Sequence, residues 1–545
     1  MDLMLGFLLA MSITMVLIPP LMSAAARLQV LDAPGVRKVH STPVPRVGGI
    51  AMAAGTLIAV VLSRDFVQPM PAYLAGVLVL LVFGVWDDRV TLGPLTKLLG
   101  QAIAVVLVMS WGEVSIGTIT LAERHVLPQW LAAPLTFVFL LGVTNAVNLA
   151  DGLDGLAGGT TLLALSAMAL LAFTSSTPFV GAVAVIIIGA ILGFLRYNTH
   201  PARVFMGDSG SQILGFSAGV LAVVLTQSEA TALSSALPLA LLGIPIIDTV
   251  MVMAQRLAQR RSPFQADRNH IHHRLLSLGF DHHEAVVVIY LLQGALFIAA
   301  WFLRYESDLT ILATFAFVAI AAITTLHAAA QSGWRWRASS PASAHAVSPL
   351  GRFVRWVKAP ERAPQWALMA IALVITIYFL AVARVCPAPS MDVRVMAGLL
   401  AATLGGTLIM RWRAAEASWL DKGALYMAMV MAVYFDRQTT TLLEAHSALQ
   451  VALFATLVVA IGLRFRLASD RRFRITTLDV LVIFTALVIP NLPGSITSSA
   501  TLGESVAKLI ALMYAVETLL GAAGRWWRLP GLAALAFLGA CILRV

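Results

Sequence analysis

Residues Leu3 to Leu21 read LMLGFLLAMSITMVLIPPL, a run without a charged side chain that is long enough to form a membrane-spanning helix. Crossing about 30 Å of hydrocarbon takes roughly 20 helical residues. Similar apolar runs recur along the chain between short polar segments, about eighteen in all. The pattern predicts an all-α fold, a polytopic bundle of transmembrane helices. We expect the first run to remain as a span, because Asp2 stands where a signal peptide has a basic flank.

The composition excludes a soluble globular protein. Hydrophobic residues make up 59% of the 545 residues, charged residues only 12%, and the mean hydropathy is +0.87. A soluble domain needs more polar surface than this. The net charge of +10 could attract nucleic acid, but the basic character of cytoplasmic loops in membrane proteins explains it more simply. We therefore expect the membrane as a partner and no nucleic acid.

Basic residues predict the orientation of the first eleven spans. These spans lie near residues 3–26, 47–63, 72–86, 98–111, 128–147, 159–174, 178–195, 212–227, 234–253, 286–303 and 309–326. If the loop after the first span is cytoplasmic, the loops on that side hold nineteen Lys and Arg residues and the opposite loops hold three. This ratio predicts that the amino terminus lies outside.

A polar segment divides the chain. Residues 331–365 contain Trp, Arg, Ser and Pro without an apolar run. They predict a transmembrane domain at 1–327, a basic cytoplasmic linker at 328–365 and a second transmembrane domain at 366–545 with about seven spans. No catalytic pattern is found in the second domain. The two cysteines, Cys386 and Cys541, have no ligand-like spacing, so neither a structural disulfide nor a zinc site is predicted.

Acidic residues next to apolar spans carry the functional prediction, since charged groups are costly there unless they serve a function. Five carboxylates lie at the ends of spans on the predicted cytoplasmic side: Asp87, Asp88, Asp151, Asp154 and Asp208. A single Asp at a helix end is most often a cap or an ion-pair partner, but five on one side indicate a shared site. Asp248, inside the ninth span, fits a structural hydrogen bond as well as a function.

The paired carboxylates predict a cation. Asp87 and Asp88 repel each other, so a dehydrated site that keeps both ionised needs a metal or another positive charge. Oxygen ligands favour Mg²⁺, with Mn²⁺ as the alternative, and sparse carboxylates suit an ion that also binds substrate phosphates. Glycines beside Asp154 and Asp208 allow backbone amides to approach an anion. The implied substrate is a phosphate or a diphosphate.

Histidines cluster in the last large loop of the first domain, which reads Asp267-Arg-Asn-His-Ile-His-His-Arg-Leu275. Three interpretations stay open: a zinc site, which lacks a further Cys or His nearby; donors to a diphosphate or a nucleobase; or a solvated basic loop. The nearby His282 and His283 are interpreted as loop residues without a function. Basic residues of the first loop either hold an anion or follow from the topology rule.

Taken together, the motifs resemble one family, the polyprenyl-phosphate N-acetylhexosamine-1-phosphate transferases. The matching stretches, whose order and spacing also fit, are Arg37 to Gly49, Asp87-Asp88 with Leu92 to Gln101, Asn145 to Gly159, Asn198 to Gly215 and His270 to Leu275. The resemblance covers about residues 1–326. It implies an all-helical bundle in the bacterial inner membrane, an active site on the cytoplasmic face, Mg²⁺ dependence and release of UMP. The His-Ile-His-His form resembles members that take UDP-GlcNAc or a related UDP-HexNAc.

The resemblance also implies roles for single residues. Asp87, Asp88 and Asp154 match catalytic positions, whereas Asp208 and Asp151 match positions that hold the metal. Substrate-binding roles follow for nine residues: Lys38, His40, Lys97, Asn148, Asn198, His270, His272, His273 and Arg274. The implied partners are a UDP-sugar and a polyprenyl phosphate lipid, and a homodimer is compatible with the resemblance.

The implied reaction moves an N-acetylhexosamine 1-phosphate, with GlcNAc 1-phosphate favoured, to undecaprenyl phosphate and begins a lipid-linked envelope glycan. Either Asp87 or Asp88 orients or deprotonates the lipid phosphate for one in-line attack, or one of them forms a covalent intermediate. A carrier or flippase would instead place relay acids near the middle of its spans. A non-catalytic assembly scaffold is the other rival, and the intact Asp87-Asp88 pair argues against it.

Overall fold

The computed structural model describes most of the first domain and parts of the second. The described residues are 3–32, 43–63, 68–121, 123–229, 231–262, 269–332, 334–336, 363–410, 419–438, 452–461, 508, 511–512, 514–516, 518–520 and 526–544. They fall into two compact units, the first ending before Pro341 and the second containing the described residues from 363 onward.

Helices form almost all of the first unit. They are α1 Leu3–Leu28, α2 Gly48–Ser63, α3 Met70–Val90, α4 Pro94–Ser110, α5 Gln129–Ala150, α6 Leu156–Thr174, α7 Pro178–Asn198, α8 Gly207–Gln227, α9 Leu237–Leu241, α10 Gly243–Ala258, α11 Ile271–Ser277, α12 His282–Leu303 and α13 Asp308–Gln331. Two short antiparallel pairs join loops: β1 (Leu31–Asp32) with β2 (Val44–Pro45), and β3 (Thr118–Thr120) with β4 (Arg124–Val126).

The second unit continues the helical pattern. Its described helices are α14 Ala363–Val385, α15 Met391–Met410, α16 Trp419–Gln438, α17 Ala452–Ile461 and α18 Arg528–Leu543. Its aromatic core includes Phe379, Phe435 and Phe537, with Phe379 and Phe435 both packing against the ring of Phe537. Several of the seven spans predicted here fall partly or wholly outside the described residues.

The prediction of an all-α polytopic membrane protein is confirmed. Among the described residues, ten helices are long and apolar enough to cross a membrane, and five shorter apolar helices accompany them. Their bounds differ from the predicted spans mainly at the polar ends. Helix α8 begins at Gly207, so Asp208 lies in its first turn and not in the preceding loop.

The predicted ninth span, 234–253, is interrupted between α9 and α10. Pro245 lacks the backbone N–H that would donate to the carbonyl of Leu241 in a continuous helix. The buried side chain of Gln293 instead donates to that carbonyl at 2.8 Å and accepts from the N–H of Ile244 at 3.2 Å. The sequence pattern cannot reveal this break, because its polar partner comes from α12.

Helix α8 is the buried centre of the first unit and packs against α2, α3, α5 and α6. Small residues allow these helices to approach closely, as is common in membranes. A Cβ added at Gly84 would lie 2.7 Å from the backbone nitrogen of Ser209, and one added at Gly215 would lie 2.8 Å from Cα of Thr144. These contacts bring the ends of α3 and α5 to the first turn of α8.

Candidate active site

Four helix ends meet in the first unit and carry the predicted acidic motifs. The carboxyl ends of α3 and α5 and the amino ends of α4 and α8 supply Asp87, Asp88, Lys97, Asn148 and Asp208. Backbone hydrogen bonds from Gly48 to the carbonyl of Phe205 and from Gly49 to that of Met206 attach the start of α2 to the segment before α8. The helix packing therefore gathers motifs that lie more than a hundred residues apart in sequence.

Asp88 is buried against the amino end of α8. Its carboxylate accepts from the backbone N–H of Asp208 at 2.8 Å, and from the N–H and hydroxyl of Ser209 at 3.2 and 2.8 Å. Acceptors at a helix amino terminus satisfy N–H groups that have no partner inside the helix. Asp88 thus caps α8 from a neighbouring helix and fixes the backbone from which Asp208 extends.

Gly207 is required at this contact for two reasons. Its φ of +70° is a conformation that side chains with a Cβ rarely adopt. A Cβ there would also lie 2.5 Å from both carboxylate oxygens of Asp88. The glycine before Asp208 therefore allows Asp88 to approach the start of α8.

Asp87 and Asp208 share a lysine. The Nζ of Lys97 lies 2.5 Å from Oδ2 of Asp87 and 3.3 Å from Oδ2 of Asp208. The Asp87 carboxylate also accepts from the backbone N–H of Leu92 at 2.5 Å. Two carboxylates that both lie close to one point repel each other unless a cation lies between them. Lys97 supplies that positive charge.

Asn148 connects the end of α5 to the same group. Its Nδ2 donates to Oδ1 of Asp208 at 2.6 Å and to the hydroxyl of Ser211 at 2.8 Å. The predicted substrate-binding residue therefore lies beside the predicted metal ligand and orients its carboxylate.

Asp151 follows α5 in the loop that leads to α6. Burial, and then the negative charges of Asp208, Asp154 and Asp88, raise the pKa of Asp151 to about 7, while Arg46 opposes the shift. Arg46 also forms an ion pair with Asp32. A carboxyl group in such a negative environment gains most from a bound cation.

Asp154 lies in a different cluster of the same loop. Its Oδ2 is 2.6 Å from Nδ1 of His200 and accepts from the backbone N–H of Ala202 at 3.0 Å. Burial alone would raise the pKa of Asp154, but these two hydrogen bonds hold that pKa below its usual value. The ring of His282 stacks on that of His200 with centroids 4.0 Å apart.

Asp154, His200 and His282 are also the described residues whose ligand atoms lie close enough together to hold a metal ion. The interpretation of His282 as a loop residue is wrong, because His282 begins α12 and lies beside Asp154 and His200. No role is predicted for His200 from the sequence. One signal was present in the sequence, because His200 follows Asn198 within a matching motif. The contact with His282 depends on the packing of α12.

Asn198 is buried and uses both ends of its amide within the protein. Its Oδ1 accepts from the N–H of Gly155 at 2.8 Å, and its Nδ2 donates to the carbonyl of Val204 at 2.8 Å. Its observed contacts hold the loop after Asp154 against the loop before α8.

Asp248 anchors the histidine segment. Its carboxylate lies 2.8 Å from Nδ1 of His270 and accepts from the backbone N–H of Ile271 at 2.7 Å. Of the two interpretations of Asp248 that were open, these contacts support the structural one, in which a residue of α10 positions the start of α11.

The remaining predicted residues of this segment continue along α11. His272 is buried so close to Gly152 that a Cβ on the glycine would lie 2.5 Å from its Cε1. Burial is the main reason that the pKa of His272 falls to about 3, which makes its ring neutral at neutral pH. The ring of His273 lies 4.2 Å from that of His272, and Nε of Arg274 donates to the carbonyl of Asn269 at 2.9 Å.

The segment from Asn148 to Gly155, which comprises the end of α5 and the loop after it, therefore contacts three parts of the site. Asn148 contacts Asp208, Gly152 contacts His272 of the histidine segment, and Asp154 contacts His200. The predicted residues Lys38 and His40 lie outside the described residues. The other predicted site residues lie in or beside these clusters.

Comparisons with known proteins agree with this arrangement. Residues 70–226, which contain the five aspartates, match the family described as Glycosyl transferase family 4. A probable undecaprenyl-phosphate N-acetylglucosaminyl 1-phosphate transferase of Bacillus subtilis is 34% identical over 302 residues, which is 55% of this chain and 84% of the relative. The chain belongs to glycosyl transferase family 4. The resemblance predicted from the motifs is thereby confirmed.

Two other relatives are similar to the chain. A decaprenyl-phosphate N-acetylglucosaminephosphotransferase of Mycobacterium leprae is 35% identical over 314 residues, which is 50% of this chain and 76% of the relative. An undecaprenyl-phosphate alpha-N-acetylglucosaminyl 1-phosphate transferase of Yersinia pestis is 29% identical over 282 residues, again 50% of this chain and 76% of the relative. All three relatives carry the same sugar phosphate in their names, on lipids of two different lengths.

Proposed function

We propose that the first unit transfers GlcNAc 1-phosphate from UDP-GlcNAc to a polyprenyl phosphate and releases UMP. The observation that carries the proposal is the joining of Asp87 and Asp208 through Lys97 at the amino end of α8, with Asn148 beside them. Such an arrangement suits a diphosphate, whose charge needs both cations and amide donors. The names of the three relatives supply the sugar and the class of lipid.

Mg²⁺ fits the residues that are present. Asp208 and Asp151 would hold it, and both offer carboxylate oxygens, the ligands that Mg²⁺ prefers. The raised pKa of Asp151 and the lysine between Asp87 and Asp208 both indicate an excess of negative charge that a divalent cation would relieve. When bound, the ion would supply charge neutralisation for the diphosphate and for the departing UMP.

In the proposed reaction, an oxygen of the lipid phosphate forms a bond to the β-phosphorus of the donor. The bond from that phosphorus to the oxygen of the UMP leaving group breaks. Asp87 is the better candidate to orient or deprotonate the lipid phosphate, because both oxygens of Asp88 already accept hydrogen bonds from α8. Lys97 would keep Asp87 ionised and would offset charge on the phosphates.

The two-step route would instead make Asp87 a covalent nucleophile. Incubation with UDP-GlcNAc and Mg²⁺ but without lipid distinguishes the routes. Mass spectrometry of the peptide that contains Asp87 would then detect a GlcNAc-phosphate adduct. If none forms in a preparation that turns over when lipid is added, the single in-line attack is the correct route.

The charge distribution and the bacterial relatives support a place in the inner membrane with the site on the cytoplasmic face. UDP-sugars are then available on the side where the four helix ends meet. The product would be the lipid-linked sugar on which an envelope glycan is built.

The decisive experiment measures UMP release by purified protein in detergent with UDP-GlcNAc, undecaprenyl phosphate and Mg²⁺. We expect UMP release that depends on lipid and stops when the metal is chelated, and a loss of at least about 10²-fold in Asp208→Asn. Glu306→Gln is the matched control, since Glu306 is an exposed carboxylate between α12 and α13. The proposal is wrong if no UDP-HexNAc releases UMP, or if Asp208→Asn and Glu306→Gln behave alike.

A further inference from the structure

The two cysteines of the chain lie next to each other in the second unit. Cys386 directly follows α14, and Cys541 lies in the last turns of α18, 155 residues further along the chain. Their Sγ atoms are 3.5 Å apart, and both residues are buried. With two cysteines among 545 residues, such a contact is not expected by chance.

The backbone around the pair is held independently of the sulfur atoms. The guanidinium of Arg544 donates to the carbonyl of Cys386 and, at 2.6 Å, to the carbonyl of Arg384. The N–H of Cys386 donates to the carbonyl of Val382 at 2.8 Å. Helices α14 and α18 also pack along each other, with the rings of Phe379 and Phe537 5.9 Å apart. A bond between the sulfurs therefore needs side-chain rotation and little movement of the backbone, since an S–S bond is about 2 Å long.

Charge places these helix ends on the outer side of the membrane. The sequence before α14 contains Arg352, Arg355, Lys358 and Arg362, whereas its other end contains Arg384. Helix α18 follows Arg525 and begins at Arg528, and its cysteine end contains Arg544. Since basic residues concentrate on the cytoplasmic side, both amino ends belong inside and the cysteines outside. In a bacterium the outer side is the oxidising compartment in which disulfides form and persist.

A metal site is a poorer explanation for the pair. Structural zinc takes four Cys or His ligands, and catalytic zinc takes three protein ligands together with a water. The chain has no third cysteine, and among the described residues the group that could hold a metal is Asp154, His200 and His282 in the first unit.

We infer that Cys386 and Cys541 form a disulfide that fastens α14 to α18 on the outer side of the membrane. Each thiol loses its proton, the two sulfurs together give up two electrons, and an S–S bond forms. The oxidant is an envelope protein that carries a disulfide. Exchange through a mixed disulfide passes the electrons and protons to that protein and reduces its disulfide to two thiols. The bond joins the first described helix of the second unit to its last and closes a loop of 155 residues.

The inference departs from the expectation that no structural disulfide forms. That expectation was based on the spacing of the two cysteines in the sequence, which does not exclude a disulfide between two helices. A cross-link over so long a loop restricts the unfolded chain strongly. It is independent of the proposed transferase activity, because the predicted site residues belong to the first unit.

Thiol counting on the full-length protein in bacterial cells tests the disulfide. Cells are quenched in acid, denatured in detergent and alkylated with N-ethylmaleimide, and the protein is then reduced and treated with a maleimide-polyethylene glycol. We expect two polymer labels after reduction and none when the reductant is omitted. Omitting the first alkylation and the reduction should also give none, because no free thiol is present.

The single variants Cys386→Ser and Cys541→Ser are the matched controls, and each should accept one polymer label under denaturing conditions when both the first alkylation and the reductant are omitted. The inference is overturned if wild-type protein accepts two labels when both the first alkylation and the reductant are omitted, or none after alkylation and reduction, since both thiols are then free in the cell. Denaturation exposes both cysteines, so burial does not affect labelling and the outcome reports only the oxidation state of the two cysteines.

Discussion

At the scale of single residues, the adjacent carboxylates Asp87 and Asp88 have different partners. Asp88 accepts three hydrogen bonds from the start of α8, whereas Asp87 faces Lys97 and the N–H of Leu92. Hydrogen bonds to a charged acceptor are each worth about 1.5–3 kcal/mol in mutational series. The two residues should therefore respond differently to the same substitution.

We predict that Asp88→Asn lowers both stability and activity, because an amide has one acceptor oxygen for three donors. The expected loss of unfolding free energy is about 1–3 kcal/mol. Asp87→Asn should reduce UMP release by at least about 10²-fold with a smaller change in stability. Thermal unfolding in detergent and the UMP assay measure the two effects. If Asp87→Asn is the more destabilised variant, the assignment of roles is reversed.

Lys97 allows a second prediction at this scale. Lys97→Met leaves Asp87 and Asp208 facing each other without the lysine charge, so we expect UMP release to fall by about 10²-fold or more. Arg89→Met is the matched control, since Arg89 is an exposed basic residue near the end of α3 and contacts Gln29 at 3.4 Å. Equal activity of the two variants would show that Lys97 serves the membrane topology alone.

At the scale of elements, the close contacts of α8 decide the geometry of the site. Gly207 has a φ of +70° and faces the Asp88 carboxylate. Gly142 lies within α5, and a Cβ added there meets nothing within 4 Å. The two glycines thus differ in whether their lack of a side chain is needed.

We predict that Gly207→Ala destabilises the protein by at least about 1–2 kcal/mol, the cost of a left-handed conformation for a residue with a Cβ. It should also abolish most UMP release, because the start of α8 and Asp88 must move apart. Gly142→Ala should be neutral or stabilising by up to about 1 kcal/mol, since Ala favours a helix over Gly. Unfolding curves and UMP release for the pair check this. A neutral Gly207→Ala would contradict the described contact.

At the scale of the whole molecule, the described site residues belong to one of two compact units. The first unit has its own buried centre in α8, and the second has its own aromatic core. Units with separate cores are expected to keep their structure when the chain between them is cut.

We therefore predict that cutting between the units leaves the transferase activity intact. A protease site inserted between Ser343 and Ala344 allows the purified full-length protein to be cut after it has folded. UMP release should stay within about twofold of the uncut protein, because each unit has its own core. The uncut inserted protein is the control for the insertion itself. A large loss of activity on cutting would mean that the second unit takes part in the reaction.

The sequence by itself determined the all-α membrane fold, the family and the motifs that form the site. Apolar runs of spanning length and acidic residues at their ends are local patterns, so they can be read without knowing what contacts what. The break between α9 and α10, by contrast, depends on Gln293 from another helix.

Only the tertiary structure decided how the motif residues differ from one another. In the structure, Asp88 caps α8, and Asp154 contacts His200, whose ring stacks on that of His282. Cys386 lies next to Cys541. Each of these contacts joins residues on different elements, and the last spans 155 positions. Such pairings arise from the packing of helices that bury small residues against each other, and no local pattern in the chain encodes which helix faces which.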